Sequence, residues 1–318
     1  MDTRLLESIY TEMNTKAIVN PVAGSHSVKK DWDRIRSQMQ QAGLDFDFEF
    51  TQYPGHATEI AKRSIQNSYG CLLAVGGDGT INEVANGILF SDNAENTVLG
   101  VVNVGTANAF KMSLGLSEEG TDSGISWKIH PPMKIDVGLI NCQCQGKQVE
   151  HYFVNEASAG LPAEVVKTWN YLPDSYNKKL NLFMRTITGV ITLINSKNKH
   201  LNIEIVNNKE TGKFCTVVVA NGKYFADGMI IAPHATLDDG LLDSIIIGDI
   251  SRYDLIRIRP KLYDGTHITH EKFSETKVSE ISIDSEETLI IEADGDIVGE
   301  SPVSIRVVPS ALNVLPIY

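Results

Sequence analysis

The sequence has no long apolar run. No stretch of about 18 uncharged apolar residues occurs, so a transmembrane helix is not expected. The polar N-terminus lacks a segment typical of a signal peptide, and we expect a cytoplasmic protein. The sequence has fewer basic residues (28) than acidic residues (40), which argues against a broad surface that binds nucleic acid. The only four cysteines, Cys71, Cys142, Cys144 and Cys215, have no zinc-site spacing and are expected to be reduced.

The first part of the chain alternates strand-like and helix-like segments. Apolar runs at 16–20 and 71–75 are typical of buried strands, and residues 45–51 alternate acidic residues with Phe. A segment with helical spacing follows each of them. This order predicts a three-layer α/β domain with a parallel sheet, which we place at residues 1–137.

Beyond the first domain, short apolar runs are separated by turn dipeptides such as Asp239-Gly240. The pattern predicts an antiparallel β-sandwich domain at residues 138–308. Two helices are expected within it, at 180–194 and at about 252–263. Residues 309–318 are expected to return to the first domain.

The most informative stretch is residues 72–87, where an apolar strand ends in a glycine-rich loop and a helix begins. Gly76, Gly77 and Gly79 let the backbone approach a ligand closely. The helix N-terminus offers free N–H groups and a positive dipole end, which suit phosphate. Asp78 would repel phosphate unless a divalent cation lies between them, so the motif predicts a Mg²⁺-nucleotide. A plain strand-to-helix turn is the alternative.

The string that starts at Gly76, GGDGTINEVANG, resembles the central motif of the diacylglycerol kinase catalytic family. That family includes bacterial lipid kinases, sphingosine kinases and ceramide kinases. Residues 20–24 (NPVAG) resemble its NPxxG turn, and residues 105–108 (GTAN) resemble its GTxN element. Residues 238–243 (DDGLLD) and 294–296 (DGD) match its late motifs. The resemblance implies a first domain like that of NAD kinases and phosphofructokinases.

The resemblance implies an ATP-dependent kinase that phosphorylates a lipid hydroxyl, with ATP and Mg²⁺ as cofactors. Asp294 is implied as the catalytic base, although an Asp-Gly hairpin turn alone would be unremarkable. Asp296 stands where the family has glutamate, which puts its nucleotide contact in doubt. The implied nucleotide-binding residues are Asn20, Pro21, Gly24, Ser25, Thr51, Gly76, Gly77, Asp78, Gly79, Thr80, Asn82, Glu83, Thr106 and Asp296.

Two magnesium sites follow from the resemblance. Asp78 and Asp136 are implied as ligands of the catalytic Mg²⁺. Ala109 replaces an aspartate of many bacterial relatives, so we expect weaker or rearranged binding of this ion. A structural Mg²⁺ near the DDGLLD turn would use the Asp239 side chain and two backbone carbonyls, whereas a solvated hairpin is the alternative. The two carbonyls belong to Thr236 and Leu241.

The sequence indicates the surface that contacts lipid less clearly. The helix predicted at 180–194 has an apolar stripe formed by Leu180, Phe183, Ile187, Val190, Ile191 and Ile194. The stripe predicts a face packed against the core, and the lining of an acyl pocket is the alternative. A basic cluster surrounds the second helix, for which headgroup contact and plain solvation are both open. Its members are Arg252, Arg257, Arg259 and Lys261.

Alternative functions are an NAD kinase-like enzyme with a soluble substrate, and a lipid- or nucleotide-binding protein with weakened catalysis. Ala109 and Asp296 motivate the second. For the lipid kinase we expect peripheral contact with the membrane surface, at the inner face, and no nucleic-acid partner. The sequence identifies neither the acceptor lipid nor the oligomeric state, for which a homodimer is one option.

Overall fold

The computed structural model describes residues 13–104, 108–115, 129–172, 178–206, 208–226 and 228–317. The chain divides into two compact units. The first ends at Val137 and resumes at Pro309, and the second is Gly138–Val308. The first is an α/β unit and the second an antiparallel β unit, which confirms the predicted fold class.

The first unit contains a parallel sheet in which β4 pairs with the end of the last strand, β16 (Asp296–Ile317), at Asn313–Ile317. The strand order is β2-β1-β3-β4-β16. All four pairings are parallel, so the carboxyl ends of these strands lie along one edge. The other strands are β1 (Thr15–Val19), β2 (Asp47–Phe50), β3 (Cys71–Gly76) and β4 (Val98–Asn103).

Helices cover this sheet. The apolar stripe of α1 packs Trp32, Ile35 and Met39 against one face, beside Val19 and Leu73. Trp32 also meets the Phe residues of β2 edge-on or tilted, which explains the alternation of that strand. Helices α2 and α3 contact each other and the strands β1, β3 and β4. The helices are α1 (Ala23–Gln41), α2 (His56–Gln66), α3 (Asp78–Leu89) and the short α4 (Ala109–Ser113).

The second unit is built from antiparallel pairs. Strand β9 pairs with β7, β8 and β12, and β12 also pairs with β13. The path β16-β14-β8-β9-β7-β15 returns to β16, so these strands close around one apolar core. The strands are β5 (Met133–Cys144), β6 (Lys147–Phe153), β7 (Glu156–Gly160), β8 (Lys199–Ile205), β9 (Asn208–Ala220), β10 (Tyr224–Phe225), β11 (Met229–Ile230), β12 (Leu242–Gly248), β13 (Phe273–Val278), β14 (Glu280–Ser285) and β15 (Ile290–Ala293).

The described part of the second unit contains three α-helices: α5 (Leu161–Asn170), α6 (Lys178–Asn195) and α7 (Arg252–Ile258). The stripe predicted to pack against the core on α6 is instead exposed: Ile187, Val190, Ile191 and Ile194 are 37%, 49%, 50% and 54% accessible. The core-facing prediction is therefore wrong for these four residues, and the side chains of Leu180 and Phe183 lie outside the described residues. Among the described residues, no helix combines the length and apolarity needed to cross a bilayer.

Candidate active site

Several residues predicted to bind a nucleotide lie at the carboxyl-terminal edge of the parallel sheet. Asn20 follows β1 and its N–H donates to the Val75 carbonyl at 2.9 Å. Thr51 follows β2 and donates to the Val19 carbonyl at 2.9 Å. The register places Val19 opposite both Phe50 and Val75. Open α/β sheets bind ligands at this edge, so the sequence-distant motifs are brought to one location.

The Asn20 side chain joins two of the predicted motifs. Its Nδ2 donates to Thr80 Oγ1 at 3.0 Å, and its Oδ1 accepts the Val22 N–H at 3.1 Å. The turn after Pro21 thus begins with an Asx-type hydrogen bond. Gly24 adopts a φ of 58°, a left-handed conformation that glycine tolerates best. Helix α1 runs through Ser25, whose side chain lies outside the described residues.

The glycine-rich loop turns directly into α3. Gly77 is extended, with φ −97° and ψ −172°, and α3 begins at Asp78. A Cβ added at Gly76 would lie 2.5 Å from the Thr80 Cβ, so this position has no room for a side chain. Gly77, Asp78 and Gly79 are half-buried. The loop therefore exposes backbone at a helix N-terminus, as the phosphate prediction requires.

Asp78 holds a neighbouring segment. Its two carboxylate oxygens accept the N–H groups of Ala109 and Phe110 at 3.1 and 3.3 Å, where α4 begins. This contact ties the glycine-rich loop to the segment that follows the GTAN motif. Thr106 of that motif lies outside the described residues.

Two residues predicted to contact the nucleotide have structural partners instead of an open position. The Glu83 carboxylate accepts the N–H groups of Gly55 and Ala57 at 2.9 and 3.0 Å, where α2 begins. Asn82 is buried, and its Oδ1 accepts the Asn86 amide at 3.0 Å. We therefore assign to Glu83 the capping of α2.

The two acids predicted for the catalytic Mg²⁺ both lie in the first unit. Asp136 is buried and its Oδ1 accepts the Ser310 N–H at 2.7 Å, which fixes the returning C-terminal segment. Within the described residues, no three His, Cys, Asp or Glu side chains come together as a metal-binding group. A Mg²⁺ here would need ligands from water or nucleotide besides Asp78 and Asp136.

In the turn predicted to hold a structural Mg²⁺, a lysine ammonium group contacts the acidic side chains. Lys277 Nζ lies 2.5 Å from Asp239 Oδ2 and 3.4 Å from Asp243 Oδ2. Asp239 Oδ1 accepts the Leu241 N–H at 3.1 Å. Asp239 is the side chain assigned to the ion, and the ammonium group already neutralises it. These residues do not fit the predicted structural ion, so Thr236 and Leu241 gain no support as ligands.

Asp294 lies in a two-residue hairpin between β15 and β16. Ala293 pairs with Asp296, and both Asp294 and Gly295 have positive φ, 48° and 91°, as a type I′ turn requires. Asp294 is 8% exposed, and its carboxylate accepts three backbone N–H groups, at 2.8, 3.0 and 3.0 Å. These three bonds hold the carboxylate in place. The three donors are Val154, Asn155 and Glu156.

Behind Asp294 is a buried acidic cluster that the sequence reading missed. Glu292 accepts the Ser158 hydroxyl at 2.6 Å and the Gly295 N–H at 2.7 Å. Glu156 is hydrogen-bonded to Glu292 and its Oε2 is buried with no partner among the described residues. The only available signal was a glutamate opening the small-residue run EASAG on a buried strand.

Burial shifts both glutamates toward their protonated forms. Burial raises the pKa of Glu292 to about 7, although the Ser158 and Gly295 hydrogen bonds oppose the shift. Burial, followed by the charge of Glu292, raises the pKa of Glu156 well above its usual value. The pair therefore shares a proton near neutral pH.

Comparisons with known proteins agree across both units. Residues 14–140 match the model described as the diacylglycerol kinase catalytic domain, and residues 155–316 match the YegS C-terminal NAD kinase beta sandwich-like domain. The diacylglycerol kinases of Bacillus subtilis and Staphylococcus carnosus are 28% and 29% identical. Each alignment covers 90% of this chain, and 91% and 90% of the relatives. A diacylglycerol kinase crystal structure from Bacillus anthracis has a TM-score of 0.64 at 19% identity and covers 95% of this chain and 96% of its own.

Proposed function

The chain belongs to the diacylglycerol kinase family, and we propose that it transfers the γ-phosphate of ATP to a lipid hydroxyl, with diacylglycerol or a related lipid as acceptor. The observation that carries the proposal is the corner formed by Asn20, Gly76 and Thr80. There a side-chain-poor loop opens a helix at the carboxyl edge of the parallel sheet. Exposed backbone N–H groups at such a corner suit the phosphates of ATP.

In this proposal the residues at the sheet edge bind and orient ATP. The N-terminus of α3 receives phosphate oxygens, and the Asn20–Thr80 hydrogen bond keeps the loop in position. Thr51 and the turn at Pro21 border the remainder of the nucleotide. Phosphoryl transfer depends mainly on positioning and charge neutralisation, so a rigid loop serves the chemistry directly.

The acids of the first unit fit a magnesium ion in their chemistry, because Mg²⁺ prefers carboxylate oxygens. Asp78 and Asp136 would hold it, and both carboxylates also accept backbone N–H groups. When bound, Mg²⁺ would neutralise charge on the phosphates. The same N–H bonds fix the orientation of both carboxylates before any ion arrives.

We propose Asp294 as the group that accepts the hydroxyl proton of the lipid. Its three N–H bonds hold the carboxylate in one orientation, as a group that positions the acceptor hydroxyl requires. Asp296 is the alternative acceptor, because its side chain is exposed on the same hairpin. Substitution of each residue by asparagine distinguishes the two.

The test of the proposed function is a transfer assay with γ-labelled ATP and Mg²⁺ over a panel of diacylglycerol, phosphatidylglycerol, sphingoid base and ceramide. Label that partitions into the organic phase with one of these lipids supports the proposal. A labelled aqueous dinucleotide would indicate an NAD kinase-like enzyme. Binding of ATP without any labelled lipid would indicate a protein with weakened catalysis.

A further inference from the structure

Helix α6 presents an apolar stripe to solvent. Ile187, Val190, Ile191 and Ile194 repeat with spacing 3, 1 and 3, so they lie on one face of the helix. All four are exposed, at 37% to 54%. The opposite side of α6 is engaged with α5, where Thr192 Oγ1 donates to Thr168 Oγ1 at 3.1 Å. The stripe is thus a free helical face, which in soluble proteins marks an interaction surface.

The region around α7 is tied to the end of α6 by side-chain hydrogen bonds. Arg252 Nε donates to the Leu193 carbonyl at 3.1 Å, and Asn198 Nδ2 donates to the Ile250 carbonyl at 2.9 Å. Large apolar and aromatic side chains are exposed here too. They are Tyr253 at 67%, Ile256 at 52% and Tyr263 at 47%.

Positive charge accompanies these apolar residues in an acidic protein. The chain has a net charge of −12, yet residues 178–203 contain no Asp or Glu. Arg185 and Lys197 are exposed on and just after α6. Arg257, Arg259 and Lys261 are exposed at and beyond α7, with Arg257 lying over the Tyr253 ring at 5.4 Å.

We propose that the α6 stripe and the basic residues of the α7 region form a docking surface for an anionic lipid bilayer. Apolar side chains enter the headgroup boundary, tyrosines suit the interface, and Arg and Lys pair with anionic headgroups. A second copy of this chain is a poorer occupant, because a two-fold interface would face the basic residues with themselves. The inference deepens the proposed function, since the acceptor lipid resides in a bilayer.

The test measures binding of the full chain to vesicles in the absence of ATP. Wild type is expected to sediment with vesicles of phosphatidylcholine and phosphatidylglycerol, and far less with phosphatidylcholine alone. Arg257→Gln with Lys261→Gln should weaken binding on the order of 20-fold, because each basic residue near an anionic leaflet contributes roughly fivefold. Val190→Asn with Ile194→Asn should weaken it at least tenfold by removing apolar insertion.

Matched controls lie elsewhere on the same unit. Val206 is 64% exposed and Lys213 is exposed, so Val206→Asn and Lys213→Gln change surface chemistry away from α6. Both variants should bind as wild type does. Equal loss in the controls, or full binding by the α6 variants, would overturn the proposal. A wild-type dimer in sedimentation velocity that the α6 variants dissociate would identify a second copy as the occupant and also overturn it.

A second readout separates this inference from the proposed function. The α6 and α7 variants should keep their turnover of a short-chain diacylglycerol dispersed in detergent, and lose turnover of diacylglycerol presented in anionic vesicles. If wild type phosphorylates no dispersed lipid but still sediments with anionic vesicles, the proposed function fails and the docking surface stands.

Discussion

Asp294 and Glu156 are bound to each other through two reciprocal hydrogen bonds. The Asp294 N–H donates to the Glu156 carbonyl at 2.9 Å, and the Asp294 carboxylate accepts the Glu156 N–H at 3.0 Å. The position of the proposed catalytic carboxylate therefore depends on the backbone at the start of β7. The left-handed Asp294–Gly295 turn, closed by Glu292, leaves the side chain little freedom.

Asp294→Asn should lower turnover by about 10²- to 10⁴-fold, the usual contribution of a positioned base. The substitution also destabilises the fold, because an amide NH₂ would replace one oxygen that accepts backbone N–H groups. Turnover and thermal unfolding are measured together, with Asp296→Asn as the matched variant on the same hairpin. A greater loss of turnover in Asp296→Asn than in Asp294→Asn would move the base to Asp296.

The Glu156–Glu292 pair should make stability fall as pH rises. Both folded-state pKa values are raised, so the folded protein binds more protons than the unfolded chain above the usual glutamate pKa of about 4.3. The stabilisation is therefore complete in acid and is lost as pH rises through about 7, the pKa of Glu292. Glu156→Gln keeps a donor beside Glu292 and removes one titrating group.

The measurement is the melting temperature of wild type and Glu156→Gln between pH 5 and 9. The variant should melt several degrees higher than wild type at alkaline pH and near wild type at pH 5, since about 1 kcal/mol corresponds to a few degrees in a chain of this size. Glu280→Gln, an exposed strand residue, serves as control and should not alter the pH profile. Parallel pH profiles for wild type and Glu156→Gln would contradict the shared proton.

The fold and the position of the glycine-rich loop proposed to bind phosphate were predictable from local signals. An apolar run predicts the strand that ends at Gly76, and the glycines predict the turn before the helix that begins at Asp78. Both signals depend only on residues close together in sequence. The partners of Glu83 and Lys277 were not predictable, because Gly55 and Asp239 are 28 and 38 residues away in sequence. The prediction that the α6 stripe packs against the core was wrong for another reason. Periodicity shows which residues share a helix face but not what covers that face.

Glu83→Gln should destabilise the first unit without changing the affinity for ATP. Glu83 accepts two N–H groups at the start of α2, and glutamine has only one oxygen to offer them. The expected loss is about 1–2 kcal/mol of unfolding free energy. Chemical unfolding and the KM for ATP are measured beside Glu95→Gln, an exposed acid of the same unit. A raised KM with unchanged stability would return Glu83 to the nucleotide site that the sequence motif predicts.

Ala109→Asp should lower the Mg²⁺ concentration needed for half-maximal turnover, on the order of tenfold, because an added carboxylate strengthens an oxygen-ligand site. The Ala109 N–H already contacts Asp78 at 3.1 Å, so the new side chain starts beside a predicted ligand. Ala109→Asn matches its size without the charge and should leave the Mg²⁺ dependence close to wild type. The same Mg²⁺ dependence in Ala109→Asp and wild type would separate residue 109 from the metal site.

Lys277→Met should remove the lysine that neutralises Asp239 and should make the thermal stability of the protein depend on Mg²⁺. Asp243 is buried, and burial raises its pKa although Lys277 opposes the shift. Loss of the ammonium group leaves Asp239 and the buried Asp243 without their cation, and because the Lys277 side chain is 38% exposed the cost is about 1 kcal/mol. The variant should therefore melt below wild type, and Mg²⁺ should restore part of the difference while leaving the wild-type melting temperature unchanged. Lys272→Met, at an exposed lysine next to β13, controls for loss of surface charge. If Mg²⁺ raised the melting temperature of wild type as much as that of Lys277→Met, the ion and the lysine would not share one position, and the structural ion predicted at this turn would regain its place.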